Sequence, residues 1–173
     1  MTPKQKTQPI VKINIRLSLI LSGLFILLSY LTIDAFAAGE GTYYYRRTKK
    51  IVTMLEKAVM EVEKRGWEAF PQFRVEDSEW YWGDIYLFIY RMDGVNIFHP
   101  VQEHLEGKNL IDLKDINGRP LIRHLINKAE KGGGWVHYMW TRPAEFIPTW
   151  KSGYVKKAIM PDGTPCIVGT GVY

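Results

Sequence analysis

The stretches that decide the fold are YLFIYRMDG (residues 86–94), FHP (98–100), GKNLIDLKDINGRPLI (107–122), KGGGWVHYMW (131–140) and IVGTGVY (167–173). In this order they have the patterns of an alternating hairpin, a connector rich in Asp, Asn and Gly, a helix, and a run of aromatic strands. Together they predict one compact unit that is built around a pocket.

Alternation of apolar and polar residues predicts five strands in this half of the chain. The predicted strands cover residues 85–91, 95–99, 135–140, 153–159 and 166–173. Asp93-Gly94 has the composition of a tight hairpin turn between the first two strands. Pro161-Asp162-Gly163 is a turn between the last two. The expected sheet is mostly antiparallel, with five to six strands.

Two helices are predicted beside this sheet. From residue 43 to residue 65 the apolar positions recur at helical spacing, at Ile51, Met54, Leu55, Ala58, Val59 and Val62. Packing against the sheet is the main interpretation of this stripe, and a dimer seam is the alternative. The second predicted helix covers residues 121–131. A helix followed by a largely antiparallel sheet with a helical crossover is an α+β fold.

The connecting segments have no clean period. Residues 67–84 are rich in aromatic residues and are interrupted by Pro71 and Gly83, so an irregular lead into the sheet is predicted. The polar residues 101–120 are predicted to form a loop with one helical turn near residues 110–113.

The first 37 residues have the pattern of a secretory signal. A positive start is followed by the uncharged apolar run 17–33 and then by Ala35-Phe36-Ala37, an A-x-A cleavage triplet. The pattern predicts export to the periplasm and a mature domain over residues 38–173. The alternative is an inner-membrane anchor at residues 17–33, which has about the minimum length for a membrane span.

The basic charge of the chain does not indicate a nucleic-acid partner. The net charge is +5, but four of the 23 Lys and Arg residues, and one of the 18 Asp and Glu residues, lie within residues 1–37. Without that segment the net charge is only +2 (19 basic against 17 acidic residues). Most of the positive charge therefore belongs to targeting.

No arrangement of residues indicates catalysis. The four histidines lie in separate predicted elements without metal-ligand spacing, at His99, His104, His124 and His137. The triple glycine at 132–134 precedes a strand, whereas phosphate-binding loops precede a helix. Cys166 is expected to be buried in a strand. We therefore predict a protein that is not an enzyme and that uses no metal or cofactor.

Glycines and aromatic residues alternate in the closing strands. Gly169 and Gly171 share one face of their strand, and Tyr138 and Trp140 share one face of theirs. Glycine inside a strand often marks the close approach of a ligand or of another backbone. A sheet lined by Tyr, Trp and Lys151 suits a small anion or polar metabolite. A filled aromatic core is the alternative.

At these residues the chain resembles the single Cache domain, type 2, the extracytoplasmic sensor module of chemotaxis receptors and sensor kinases. The resemblance covers residues 43–173, and its blocks occur in the family's order: the aromatic strand with its DG turn, HP, GKNLIDLKD, KGGGWV-x-Y-x-W, K-x-x-YVK and the closing G-x-G-x-Y. It implies a PAS-like antiparallel sheet behind a long N-terminal helix. It also implies recognition of short organic acids of the acetate, propionate, pyruvate or lactate type.

Carried over position by position, the family's pocket implies six ligand-binding residues here. They are His99, Tyr138, Trp140, Lys151 and Tyr154, with Tyr90 beneath. Lys151 is the expected anchor of a carboxylate. His99 is expected to donate a second hydrogen bond, and to donate it better when protonated. The rival cation, Arg91, is expected to be exposed on the other side of its strand.

The resemblance implies a stand-alone exported sensor domain that feeds signal transduction or chemotaxis. Its partners would be a small organic acid and a membrane receptor or sensor kinase, and a homodimer through the N-terminal helix stays open. The alternatives are a structural or dimerisation domain without a ligand and a membrane-tethered partner of a receptor.

Overall fold

The computed structural model describes residues 46–173. Its helices are α1 (residues 46–65), α2 (Phe70–Phe73) and α3 (Leu121–Glu130), with short 3-10 turns at Gly66–Ala69 and Glu103–Leu105. Its strands are β1 (Phe88–Arg91), β2 (Asn96–Phe98), β3 (Gly134–Thr141), β4 (Pro148–Ile159) and β5 (Pro165–Val172). The predicted signal segment and residues 43–45 of the first predicted helix lie outside the described residues.

The five strands form one antiparallel sheet in the order β2-β1-β5-β4-β3. The two long hairpin strands, β3 and β4, pair residue for residue from Gly134 opposite Val155 to Thr141 opposite Pro148. This sheet, with a helix preceding it, confirms the predicted α+β architecture. Within residues 46–173, no helix is both long enough and apolar enough to cross a membrane.

Helix α1 covers one face of the sheet. The residues of its predicted apolar stripe are buried, except for Val59, which is partly buried. They share a core with Leu87, which precedes β1, and with Ile89 and Val168 of the sheet, and we call this side the α1 face. Cys166 is fully buried on the same side, as expected. The stripe therefore packs against the sheet, as predicted.

Helix α3 covers the opposite side, which we call the α3 face. Its buried residues recur at three- and four-residue spacing, at Leu121, Ile122, Leu125, Ile126 and Ala129. They share a core with Phe88, Tyr90, Tyr138 and Val155. Because side chains alternate along each strand, the sheet divides its apolar residues between these two cores.

Strand β4 begins at Pro148, five residues earlier than predicted. Its pairing with β3 continues as far as Thr141, so residues 148–152 join the sheet although their own sequence pattern does not indicate a strand. As a result Lys151 lies inside the strand, directly opposite Tyr138.

Strand β1 and the connecting segments also differ from the prediction. Strand β1 begins at Phe88 instead of residue 85, because Trp82 and Ile85 exchange backbone hydrogen bonds of 3.0 Å in a tight turn. Residues 67–73, predicted to be irregular, belong to the 3-10 turn Gly66–Ala69 and to α2, with Phe70 and Phe73 in the α1-face core. A hydrogen-bonded turn lies at residues 110–113, where the N–H of Leu113 donates to the carbonyl of Leu110 at 2.9 Å, and a 3-10 turn that was not predicted lies at Glu103–Leu105.

Candidate functional site

A small cavity lies between the α3 face of the sheet and helix α3. It is lined by Phe88, Tyr90, His99, Leu121, Ile122, Leu125, Tyr138, Trp140 and Lys151. About 220 Å³ of the cavity is not filled by atoms, but only about 10 Å³ of it admits the centre of a water molecule. That is room for about one water. The structure therefore brings together five of the six predicted ligand-binding residues, all except Tyr154.

The register of the sheet points these side chains the same way. Tyr138 pairs with Lys151 across β3 and β4, and Phe88 pairs with Gly169 across β1 and β5. Residues that lie directly opposite each other in an antiparallel pair share a face, as do residues two apart in one strand. Gly169 in turn pairs with Val155, four residues from Lys151 in β4, so Trp140 and Tyr90 lie on the same face as Lys151.

Tyr154 lies on the other face of the sheet, which corrects its predicted place in the pocket. It is three residues from Lys151 in one strand, and an odd separation reverses the direction of the side chain. Its ring packs 5.0 Å from the ring of Trp135, centroid to centroid, against the α1-face core. Tyr154 is not among the residues that line the cavity.

Four lining residues were missed by the sequence analysis: Phe88, Leu121, Ile122 and Leu125. Phe88 stands two residues before Tyr90, so strand alternation was a sufficient signal for it. The three residues of α3 had the signal of an apolar helix face, but nothing in that pattern shows that the face covers a cavity. They supply the cavity with an apolar wall.

Lys151 is buried without an acidic partner. The residue is 1% exposed, and its Nζ lies 3.9 Å from the ring centroid of Tyr86, 4.9 Å from that of Tyr173 and 5.5 Å from that of Phe88. Within residues 46–173 this amine makes no hydrogen bond or ion pair. Burial lowers the pKa of Lys151 well below its ordinary value, and the charge of Asp84 only partly opposes the shift.

His99 is buried, and its ring accepts a hydrogen bond in this structure. The residue is 2% exposed, and the backbone N–H of Gln102 donates to its Nδ1 at 3.0 Å. In the neutral ring the proton therefore resides on Nε2. Burial and then the charge of Lys151 lower the pKa of His99 to about 3. The expectation that a protonated His99 assists binding is therefore corrected, because its tautomer already provides a donor.

Tyrosine hydroxyls surround the lysine with further neutral groups. The hydroxyl of Tyr173 donates to the carbonyl of Thr141 at 2.6 Å, and it lies 3.1 Å from the hydroxyl of Tyr86. Burial raises the pKa of Tyr86 and of Tyr138 well above the ordinary value, and that of Tyr90 to about 12. These phenols are therefore un-ionised, and Lys151 is the basic side chain among neutral donors.

Arg91 lies away from the cavity. It follows Tyr90 in β1 and so points to the other side of the strand, where its guanidinium is paired with Asp93. Its side chain is 42% exposed. This is the placement that the sequence predicted for the rival cation.

The strand glycines make room for side chains of the site. A Cβ at Gly169 would lie 2.2 Å from Phe88, and one at Gly153 would lie 2.8 Å from Tyr138. At Gly171 a Cβ would lie 3.0 Å from the Cε of Lys151 and 2.6 Å from a backbone oxygen. The space beside these glycines is therefore filled by backbone and by residues that line the cavity, which at these positions agrees with the filled-core alternative and not with an open space for a ligand.

Gly169→Ala is expected to lower the free energy of unfolding by about 1 to 3 kcal/mol, the usual cost of overpacking a core. The new methyl group meets the ring of Phe88, which must then move toward the cavity. Chemical denaturation measures the effect. The double variant Gly169→Ala/Phe88→Leu provides the control, because a smaller side chain at position 88 relieves the clash. A single variant as stable as the parent would contradict the predicted clash.

Comparison with protein families and curated proteins gives two findings. A family model described as Cache domain matches residues 74–173. The sensor histidine kinase MctS of Rhizobium johnstonii (strain DSM 114642 / LMG 32736 / 3841) is 40% identical over 93 residues. The aligned region is 54% of this chain but only 20% of the kinase, so the chain spans about a fifth of that relative.

Solved structures with the same fold come from chemosensory proteins, and each alignment covers 76% of this chain. A methyl-accepting chemotaxis protein from Vibrio parahaemolyticus RIMD 2210633 aligns over 90% of its length with a TM-score of 0.61 and 27% identity. A Cache chemosensory domain described for carboxylic acid recognition aligns over 95% with a TM-score of 0.60 and 25% identity. The periplasmic sensor domain of a chemotaxis protein aligns over 96% with a TM-score of 0.59 and 22% identity, which supports the fold alone.

Proposed function

This chain belongs to the Cache domain family, and from that premise we propose that its cavity binds a short monocarboxylic acid as the input of a sensory pathway. The ligands that we propose are acids of the acetate, propionate, pyruvate or lactate type. The protein then acts as an exported binding and sensing domain and not as an enzyme.

The observation that carries this proposal is the buried amine of Lys151. A basic group that has left water is stabilised only by a partner of opposite charge or by the loss of its own charge. The cavity adjoins this amine and has no carboxylate among its lining residues. A carboxylate ligand supplies the missing partner, with charge-assisted hydrogen bonds.

The remaining lining residues favour a small acid with one carboxylate. His99 donates from Nε2 and Tyr138 provides a phenol, so the oxygens of one carboxylate have neutral donors besides Lys151. Helix α3 contributes only Leu121, Ile122 and Leu125 to the wall, which suits a short apolar tail. The cavity of this structure has room for about one water, so even a short acid requires its lining side chains to move apart, and a larger ligand would require more movement.

Two findings support the sensory context. One structural relative is described for carboxylic acid recognition by a Cache chemosensory domain, and the curated relative is a sensor histidine kinase. We propose that the bound state is read by a membrane receptor or kinase of this kind. Export through the signal-like residues 1–37 would place the domain in the periplasm, where it meets external acids.

A thermal-shift screen with carboxylates of two to four carbons tests the proposed function. A ligand at about 100 times its dissociation constant adds about 2.7 kcal/mol to the free energy of unfolding. We expect such a shift for at least one short monocarboxylate and none for the corresponding primary alcohols, which have similar size but no charge.

The competing interpretation is a structural or dimerisation domain without a ligand. It predicts no shift with any acid, together with a dimer whose dissociation depends on protein concentration. Sedimentation of the same samples measures that dependence, so the two experiments together decide between the two functions.

A further inference from the structure

The surroundings of Lys151 determine the charge that it carries in the empty site. Its amine faces the rings of Tyr86, Phe88 and Tyr173, and within residues 46–173 it makes no hydrogen bond or ion pair. Aromatic faces attract a cation, but much less strongly than the water that the amine has lost. An ammonium ion is therefore poorly stabilised here while the cavity holds no anion.

The titratable groups around this amine do not replace the missing partner. They come from the segment before β1, from β1, from the end of β2, from β3 and from the chain end, and they are Asp84, Tyr86, Tyr90, His99, Tyr138 and Tyr173. Asp84 is the carboxylate among them, and it forms an ion pair with Arg47 at 2.9 Å. From α3 the cavity receives only apolar side chains.

We propose that ligand binding at this cavity is coupled to proton uptake, with Lys151 a neutral amine in the empty site and an ammonium ion in the complex. The inference rests on the proposed function, because the partner of the ammonium ion is the ligand's carboxylate. In this step one proton from solvent binds the lone pair of Nζ, and the carboxylate binds the resulting cation without a covalent bond. The net event is equivalent to capture of the undissociated acid.

This coupling predicts a specific pH dependence of affinity. Over the range in which the empty site holds a neutral Lys151 and the complex holds a charged one, binding consumes one proton. Affinity therefore falls tenfold for each pH unit of increase. Burial lowers the pKa of Lys151, so this range lies below the ordinary titration of a lysine. A site with a permanently charged lysine shows no such slope there.

Calorimetric titration of the whole exported protein tests the coupling. Acetate, propionate and pyruvate are titrated between about pH 7 and pH 9, across which an exposed lysine stays charged. Each titration is done in phosphate and in Tris, whose ionisation enthalpies differ widely. Uptake of a proton makes the binding enthalpy differ between the two buffers. That difference, divided by the difference in buffer ionisation enthalpy, gives the number of protons taken up, which is at most one per bound acid.

The outcomes separate the two proposals. Binding with an enthalpy independent of buffer at every pH overturns proton coupling and leaves the proposed function standing. No binding of any acid overturns the proposed function itself. His99→Asn is the control for the site of protonation: binding weakens, but the buffer dependence persists if Lys151 takes the proton.

Carbon NMR of the lysine Cε positions provides a readout that needs no ligand. The resonance missing from Lys151→Met identifies Lys151, and Lys157 on the same strand is the exposed reference. We expect the Lys151 resonance to titrate well below the ordinary pKa of a lysine in the empty protein. Titration of Lys151 at the ordinary pKa of a lysine would overturn the proposal.

Discussion

Lys151→Met is expected to weaken binding of a short carboxylate by about 2 to 5 kcal/mol, the usual loss when one member of a buried, hydrogen-bonded charge pair is truncated. That is a decrease in affinity of at least about 30-fold. Met keeps most of the length and the apolar stem of Lys while removing the basic group. The ligand's carboxylate is then buried without its cation. Calorimetry with the acid that gives the largest thermal shift measures the change.

Two other variants control for the position of the charge. Lys157→Met removes an exposed lysine from the same strand, and Arg91→Met removes the cation that is paired with Asp93 outside the cavity. Both are expected to bind as the parent does. If Arg91→Met abolishes binding while Lys151→Met does not, the carboxylate anchor has been assigned to the wrong side of the sheet.

A loss of binding in Lys151→Met is not expected to come from misfolding. The variant removes a buried amine that has no hydrogen-bond partner within residues 46–173. Replacing such a group with an apolar one of similar shape is nearly neutral or stabilising. Its denaturation midpoint without ligand therefore serves as an internal check.

Acidification is expected to destabilise the domain strongly through His99. Burial, together with the charge that Lys151 carries at acid pH, lowers the pKa of His99 from 6.5 to about 3 on folding, so below pH 6.5 the unfolded chain binds a proton that the folded state excludes. The contribution of neutral His99 to the free energy of unfolding is therefore complete above pH 6.5 and is lost as the pH falls toward 3. The loss is about 1.4 kcal/mol per pH unit, or roughly 4 to 5 kcal/mol over the whole range. Urea denaturation at successive pH values measures it.

His99→Asn isolates this contribution from that of the carboxylates. The Oδ1 of Asn can accept the hydrogen bond that Gln102 donates to His99 Nδ1, but the side chain does not titrate. We expect a much shallower acid dependence for this variant, while His124→Asn on the exposed side of α3 should behave as the parent does. Equal slopes for the parent and His99→Asn would show that His99 is not held neutral by burial.

Local sequence determined which side chains share a face within one strand. Tyr138 and Trp140 are two residues apart in β3, and Lys151 and Gly153 are two residues apart in β4. Because side chains alternate along a strand, the members of each pair point to the same side, whatever the position of the strand in the sheet. The same rule separates Tyr154 from Lys151. The family resemblance placed Tyr154 in the pocket, but the alternation of side chains along β4 directs Tyr154 to the other face of the sheet. The stripe of α1 was also predictable, because helical periodicity is a local property.

Only the tertiary structure decided how these local faces meet. The register of β3 with β4 sets Tyr138 opposite Lys151, and α3 closes the cavity against side chains of β1, β3 and β4. Tyr86 and Tyr173, which surround the amine of Lys151, are 87 residues apart. Burial depends on all of these contacts at once, and burial dominates the pKa shifts of Lys151 and His99. The sequence by itself therefore indicated the residue types of the pocket, whereas packing between distant segments determined their burial and the direction of their pKa shifts.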